Sequence, residues 1–136
     1  MAVPPELRSD AAKLAAGRLL LGLAAFVFPG RVARLFGFPV DDYDNGTARA
    51  LGRLYAVREA ALGYHLIAEA RGARGPQPLT VGVNLTIDAV DAAMLTTALV
   101  RRDGIDRAAG SVAVFAAVIS GLWLRLYRRV AAAQRA

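Results

Sequence analysis

The chain has 136 residues, which is room for one domain, and 56% of them are apolar, above the roughly 45–50% of an ordinary soluble domain. Its net charge of +6 arises from 17 cations, all but one of them arginine, against 11 acids. The absence of cysteine excludes disulfides and thiolate chemistry, and one histidine is too few for a histidine-based metal site, so we expect no metal and no cofactor. Because the basic excess accompanies long apolar runs, it favours a membrane over a nucleic acid as partner.

Chain breakers divide the sequence into long segments of helical character. The first helix is expected over about 10–28, and Pro29 and Gly30 end it. The next stretch, RVARLFGFP, has arginines on one side and apolar residues on the other, which is typical of a helix lying at a membrane interface. A second long helix is expected over about 47–70, and the linker RGARGPQP ends it.

The remaining helices are expected over about 79–100 and about 108–129. About twenty apolar residues span a bilayer core, so the first, third and fourth helices are long enough, as is the second if its charges are accommodated. We therefore predict an all-α fold, a four-helix transmembrane bundle with a short interfacial helix between helices 1 and 2, in one domain over residues 1–136. A soluble bundle of very apolar helices is the alternative that the polar second helix leaves open.

The distribution of cations between the loops predicts an orientation. The amino terminus, the loop after the second helix and the carboxyl tail hold eight lysines and arginines, and the opposite loops hold five. Cytoplasmic loops carry the excess of these residues. The sequence therefore predicts a multi-pass protein of the cell (plasma) membrane with both termini in the cytoplasm.

Ionisable residues lie deep inside the expected spans. Each would cost about 2.5–3.5 kcal/mol at the middle of a membrane if it stood alone, so these side chains are expected to face the interior, pair with one another or line a wet cavity. Three are basic and three acidic, and they are Arg18, Arg53, Arg58, Glu59, Asp88 and Asp91.

Helical spacing groups some of these residues. Asn84, Asp88 and Asp91 fall at i, i+4 and i+7, which makes one polar stripe on the third helix. Arg58 and Glu59 are adjacent and point about 100° apart, so each is expected to find its partner on another helix. Asn84 is either a hydrogen-bonding link between helices or a substrate contact.

Two interpretations of these charges stay open. In the structural one, three arginine–carboxylate pairs fix the register of the helices. In the other, the charges form a site: Asp88 and Asp91 lie one turn apart, retain one proton in a low-dielectric interior, and supply a general acid, with Glu59 as a second acid or base. Candidates for substrate binding, or for tuning these acids, are Arg18, Arg53, Arg58, Tyr55, Asn84, Tyr64 and Trp123. The tail WLRLYRRV favours an interfacial anchor for Trp123.

The stretches AGRLLLGLAAFVFPGRVARLFGFP, RLYAVREAALG and DAVDAAM resemble small four-helix integral membrane proteins of actinobacteria, most of them uncharacterised, over nearly the whole chain. In size, helix count and intramembrane acids the chain is also similar to small membrane-bound terpene cyclases of actinomycete indole-terpenoid pathways. That second resemblance implies protonation of a terminal alkene or epoxide, ring closure and loss of a proton, without metal or diphosphate.

These features together predict a membrane-embedded enzyme that acts on a lipophilic substrate, most concretely an acid-initiated terpenoid or meroterpenoid cyclase or isomerase. Its catalytic residues are predicted to be Asp88, Asp91 and Glu59. The alternatives are a non-catalytic membrane scaffold or subunit with a structural ion-pair network, and a small-molecule transporter. The expected partners are a lipophilic small molecule or lipid, the membrane and a second copy of the chain, and no nucleic acid.

Overall fold

The computed structural model describes residues 3–38, 45–101 and 107–135, and no strand occurs within these ranges. The all-α fold class is therefore confirmed for them, with four long helices and a short one between the first two. In chain order the helices are α1 Pro5–Val27, α2 Pro29–Leu35, α3 Gly46–Arg71, α4 Pro78–Arg101 and α5 Arg107–Arg135.

Local sequence explains where several helices begin and end. α1 starts earlier than expected because Pro5 stands in its first turn, where a missing N–H costs nothing. Pro29 separates α1 from α2 as predicted, since a residue that precedes proline is disfavoured in the helical conformation, and Phe28 has φ −127° and ψ 57°. α3 begins at Gly46 because the Asn45 side chain accepts a hydrogen bond of 2.8 Å from the Ala48 N–H.

Two glycines bring α1 and α3 into direct backbone contact. A Cβ atom placed on Gly22 of α1 would lie 2.5 Å from the backbone nitrogen of Ala60, and one placed on Gly63 of α3 would lie 2.6 Å from that of Leu19. The two helices therefore run antiparallel and cross closely at two levels. Small residues at a helix–helix contact permit such a close approach of the two backbones.

α4 and α5 form a second antiparallel pair, and the buried apolar core joins the two pairs at one end of the bundle. This end holds the amino terminus, the connection between α3 and α4, and the last turns of α5. The core there comprises Val3, Leu7, Ala11, Ala15, Leu66, Ala70, Val81, Trp123, Leu126 and Val130. Towards α2, at the opposite end, the two pairs enclose a cavity.

Two of the described helices are long and apolar enough to cross a membrane, namely Pro78–Arg101 and Ala109–Arg135, rather than the four that the sequence predicts. Only 17% and 28% of the residues in these spans are buried inside the protein, so most of their apolar surface faces outwards. α1 and α3 are long enough to cross a membrane, but they are not apolar enough, because charged residues interrupt their apolar stretches.

Candidate functional site

The guanidinium of Arg18, in the middle of α1, is buried and joins three helices. Its Nε lies 2.8 Å from Glu59 Oε2 on α3. Its Nη1 donates a hydrogen bond of 2.5 Å to Asn84 Oδ1 on α4, and its Nη2 donates to Asp88 Oδ1 one turn further along α4. The predicted polar stripe on the third long helix therefore does face the interior, and Asn84 acts there as a link between helices.

Trp123 extends this network to α5. Its indole N–H donates a hydrogen bond of 2.6 Å to Asp88 Oδ2, and the Cζ atom of Arg18 lies 5.7 Å from the centre of its ring. The residue is only 1% exposed, so the prediction of an interfacial anchor is wrong. Its spacing of i+3 and i+7 to the buried Leu126 and Val130 is the sequence signal that indicated a core position.

Arg58 on α3 forms an ion pair with Asp91, the third carboxylate of the site. Its Nη2 lies 2.6 Å from Asp91 Oδ2 on α4 and 3.2 Å from Glu59 Oε1, and its Cζ lies 4.7 Å from the centre of the Tyr55 ring. The prediction that Arg58 and Glu59 each have a partner on another helix is confirmed. The long guanidinium side chain also reaches its neighbour Glu59, which the angle between adjacent residues did not suggest.

Two predicted site residues lie outside this arrangement. Arg53 points to the surface and makes no ion pair with the described part of the chain. Tyr64 is 68% exposed and does not line the cavity. The ion cluster therefore contains two guanidiniums and three carboxylates, not the balanced three and three expected from the sequence, and its members are Arg18, Arg58, Glu59, Asp88 and Asp91.

A cavity of about 980 Å³ lies between the two helix pairs and ends on this ion cluster. Gly17 and Gly52 contribute to its width, because a Cβ atom on either would meet no other atom within 4 Å. At the far end, the rings of Phe36 and Phe115 meet edge to face with 5.5 Å between their centres. Its apolar walls include Leu21, Ala25, Val32, Phe36, Leu95, Val112, Phe115 and Ile119, and its polar end includes Arg18, Glu59, Asp88, Asp91 and Trp123.

The three carboxylates differ in how fully their oxygens are occupied. Glu59 receives a guanidinium at each oxygen, and Asp88 receives Arg18 at one oxygen and Trp123 at the other. Asp91 receives Arg58 at Oδ2. Its side chain is 27% exposed, against 3% for Glu59 and 8% for Asp88. Asp91 is therefore the carboxylate that a molecule in the cavity reaches most easily.

The cluster is satisfied in hydrogen-bonding terms. Among the described residues, no buried side-chain nitrogen or oxygen lacks a partner. Within those same ranges, no three histidine, cysteine or acidic side chains are grouped so that they could hold a metal ion. Every carboxylate thus has an arginine partner, as a structural network requires, yet the adjoining interior is a cavity and not a filled core.

Comparison with known proteins gives a family but no function. The model of a family described as a domain of unknown function, DUF4267, matches residues 15–126, which include the whole ion cluster and Trp123. No curated protein matches the chain. No solved structure matches it either. The likeness to terpene cyclases therefore stays a prediction. Since the family model covers most of the sequence, the chain belongs to the DUF4267 family.

Proposed function

We propose that the protein is a membrane-embedded enzyme that holds a lipophilic substrate in the cavity and isomerises or cyclises it by acid–base chemistry at the ion cluster. The observation that carries this proposal is the cavity itself, whose apolar walls end on three carboxylates in the middle of the bundle. Pockets that combine apolar walls with a few convergent polar groups are the usual form of small-molecule sites.

In this proposal all four long helices cross the cell membrane, with α2 at its interface and both termini in the cytoplasm. Large apolar side chains on the outer faces of α1 and α3 support it, among them Leu20, Leu23, Leu51 and Leu54. The charges that lower the hydropathy of these two helices include the buried Arg18 and Glu59, which lipid would not meet.

The substrate reaches the cavity sideways from the bilayer. Tyr55 of α3 and Met94 of α4 line the cavity and are also exposed, Met94 by 66%, at the gap between these two helices. A lipophilic molecule that enters here meets Asp91 first, one turn before Met94 on the same helix.

The net charge of the ion cluster supports the presence of a general acid in the cavity. Two guanidiniums and three carboxylates leave one negative charge uncompensated, which is costly in a low-dielectric interior. One proton retained within the cluster restores neutrality, and in this proposal the substrate receives it from Asp91, the most accessible of the three carboxyl groups. Asp88, predicted as an alternative acid, becomes a positioning residue for Arg18.

The reaction balances within the site. Asp91 transfers its proton to the terminal carbon of an alkene, whose π electron pair forms the new C–H bond, or to an epoxide oxygen, whose C–O bond then breaks to leave a hydroxyl. In either case a cationic centre forms on the neighbouring carbon. An internal double bond donates its electron pair to that centre and closes a ring. A C–H proton then returns to the Asp91 carboxylate, so the product is an isomer of the substrate. Tyr55, beside the cluster, offers an aromatic face to the cation.

The test is turnover of the protein in nanodiscs, in D2O, with linear polyprenols and their terminal epoxides. The expected product is an isomer, which carries one non-exchangeable deuterium when an alkene was protonated. Asp91→Asn is expected to abolish it, whereas Asp10→Asn, at an exposed carboxylate paired with Arg129 outside the cavity, leaves it intact. No isomer from either substrate class, or an unimpaired Asp91→Asn variant, contradicts the proposal.

A membrane scaffold is the second candidate, and one observation favours it. Each of the three carboxylates has an arginine partner on another helix, and such networks fix register without doing chemistry. A scaffold does not use the cavity, so loss of cavity volume leaves its role unchanged. The enzyme thus needs the Asp91 carboxyl and the space beside Gly17, whereas the scaffold does not need the space beside Gly17 and uses Asp91 only as an ion-pair partner.

A further inference from the structure

The charge of the ion cluster restricts which lipophilic molecules suit the cavity. Its two guanidiniums and three carboxylates sum to one negative charge when all are ionised. The other cations that line the cavity are Lys13 and Arg49. Along the helix axes, at about 1.5 Å per residue, Lys13 lies about 7.5 Å from Arg18, and Arg49 lies about 15 Å from Glu59, so both lie outside the cluster.

The accessible part of this negative charge is the Asp91 carboxylate. It lies in the cavity wall, and its single guanidinium partner, Arg58, is itself 37% exposed in its side chain. An amine that enters the cavity as the free base takes the retained proton of the cluster. The resulting ammonium donates a charge-assisted hydrogen bond to the Asp91 carboxylate, and such bonds are roughly twice as strong as neutral ones. It would also meet the Tyr55 ring, which lines the same region.

We propose that the cavity prefers lipophilic amines over neutral or anionic lipophiles of the same length, with the nitrogen at Asp91 and the chain along the apolar walls towards α2. This inference rests on the proposed function, because a protonated amine places a stable positive charge where the proposed reaction forms a transient one. It adds to that function a ligand class that can be tested without knowledge of the natural substrate.

The fluorescence of Trp123 can report ligand binding in the cavity. It is the only tryptophan of the chain, it is buried, and it lines the cavity beside Asp88. The protein in nanodiscs is titrated with N,N-dimethyldodecylamine, dodecanol and dodecanoate, and binding is followed by Trp123 fluorescence. Empty nanodiscs give the partition of each probe into lipid, so affinities are compared at equal concentration in the bilayer.

We expect the amine to bind about tenfold more tightly than dodecanol, which is the effect of one charge-assisted hydrogen bond, and dodecanoate to bind more weakly than both. Asp91→Asn is expected to lower the affinity for the amine to that for dodecanol and to leave dodecanol unaffected. Asp10→Asn, which removes an exposed carboxylate that does not line the cavity, keeps the preference of the wild type.

The possible results of this titration distinguish a failure of the amine preference from a failure of the proposed function on which it rests. Equal binding of the three probes, or a preference for dodecanoate, overturns the choice of amines and leaves a lipophilic cavity in place. No saturable fluorescence change with any probe contradicts both. Should Asp91→Asn fail to fold, the wild-type comparison decides alone, because the three probes share one chain length and differ in the charge of their head groups.

Discussion

The indole N–H of Trp123 donates a hydrogen bond of 2.6 Å to Asp88 Oδ2, and the other oxygen of the same carboxylate accepts from Arg18. One carboxylate thus joins α1, α4 and α5 in the middle of the bundle. Both donors are buried, so neither bond competes with water.

Trp123→Phe is the first test of this junction. The change keeps an aromatic ring but removes the N–H, which leaves an oxygen of a buried carboxylate without its donor. We expect a loss of about 1–3 kcal/mol in the free energy of unfolding, measured by denaturant titration in detergent. Tyr64→Phe, at an exposed aromatic residue, is the control and should change stability by less than about 0.5 kcal/mol.

Arg18→Met is expected to destabilise the fold more strongly, because it removes the guanidinium shared by Glu59, Asn84 and Asp88. Breaking a buried ion pair by deleting one partner typically costs about 3–5 kcal/mol. Arg18→Lys should recover only part of this loss, since one ammonium group cannot span three acceptors in the geometry of a planar guanidinium. Arg53→Met, at an exposed arginine, should be nearly neutral, and an equal effect at both arginines would contradict the role given to Arg18.

Asp91→Asn separates the enzyme from the scaffold. Asp91 is half-buried, and without it Arg58 retains the Glu59 carboxylate, so we expect the unfolding free energy to fall by less than it does in Arg18→Met. Turnover should nevertheless be lost, because an amide cannot supply the proton. Stability and turnover are measured on the same nanodisc preparation. A large loss of stability, with no turnover in the wild type either, is the result that the scaffold hypothesis predicts.

A matched pair of glycine variants tests whether the cavity is used. Gly17→Leu places a side chain where a Cβ meets nothing within 4 Å, in the wall of the cavity, so it should reduce ligand binding without loss of stability. Gly22→Leu forces a Cβ to within 2.5 Å of the α3 backbone and should separate α1 from α3. Melting temperature and dodecanol binding are the two measurements. Undiminished binding in a folded Gly17→Leu variant would show that the ligand lies elsewhere.

The number and order of the helices in the described ranges were predictable because breakers such as Pro29, and the composition between them, are local signals. Which charged side chains face the interior could not be predicted from the sequence. Arg53 and Arg58 lie about 120° and about 100° to either side of Glu59, so helical spacing alone does not distinguish them. The rotation of α3 about its axis decides between them, and the contacts of Gly22 and Gly63 with the facing backbones fix that rotation.

Which helices are apolar enough to cross a membrane was only partly predictable, for a related reason. Hydropathy averages over the whole circumference of a helix, so it counts an inward charge such as Glu59 as heavily as an outward one. By hydropathy, α4 and α5 are apolar enough to cross a membrane, and α1 and α3 are not. Yet the buried charges of α1 and α3 pair with each other and with α4. Which carboxylate stays accessible was likewise fixed by tertiary contacts alone.

If all four long helices cross a membrane, as we propose, the pairing of Arg18 with Asp88 also bears on how the chain enters the bilayer during synthesis. These two partners are separated by 70 residues, so the ribosome has completed α1 well before the part of α4 that carries Asp88 is made. Until then the Arg18 guanidinium has only Glu59 to neutralise it. We therefore expect the first three helices to remain in the translocon or at the membrane surface, and the four long helices to integrate as one late cooperative unit.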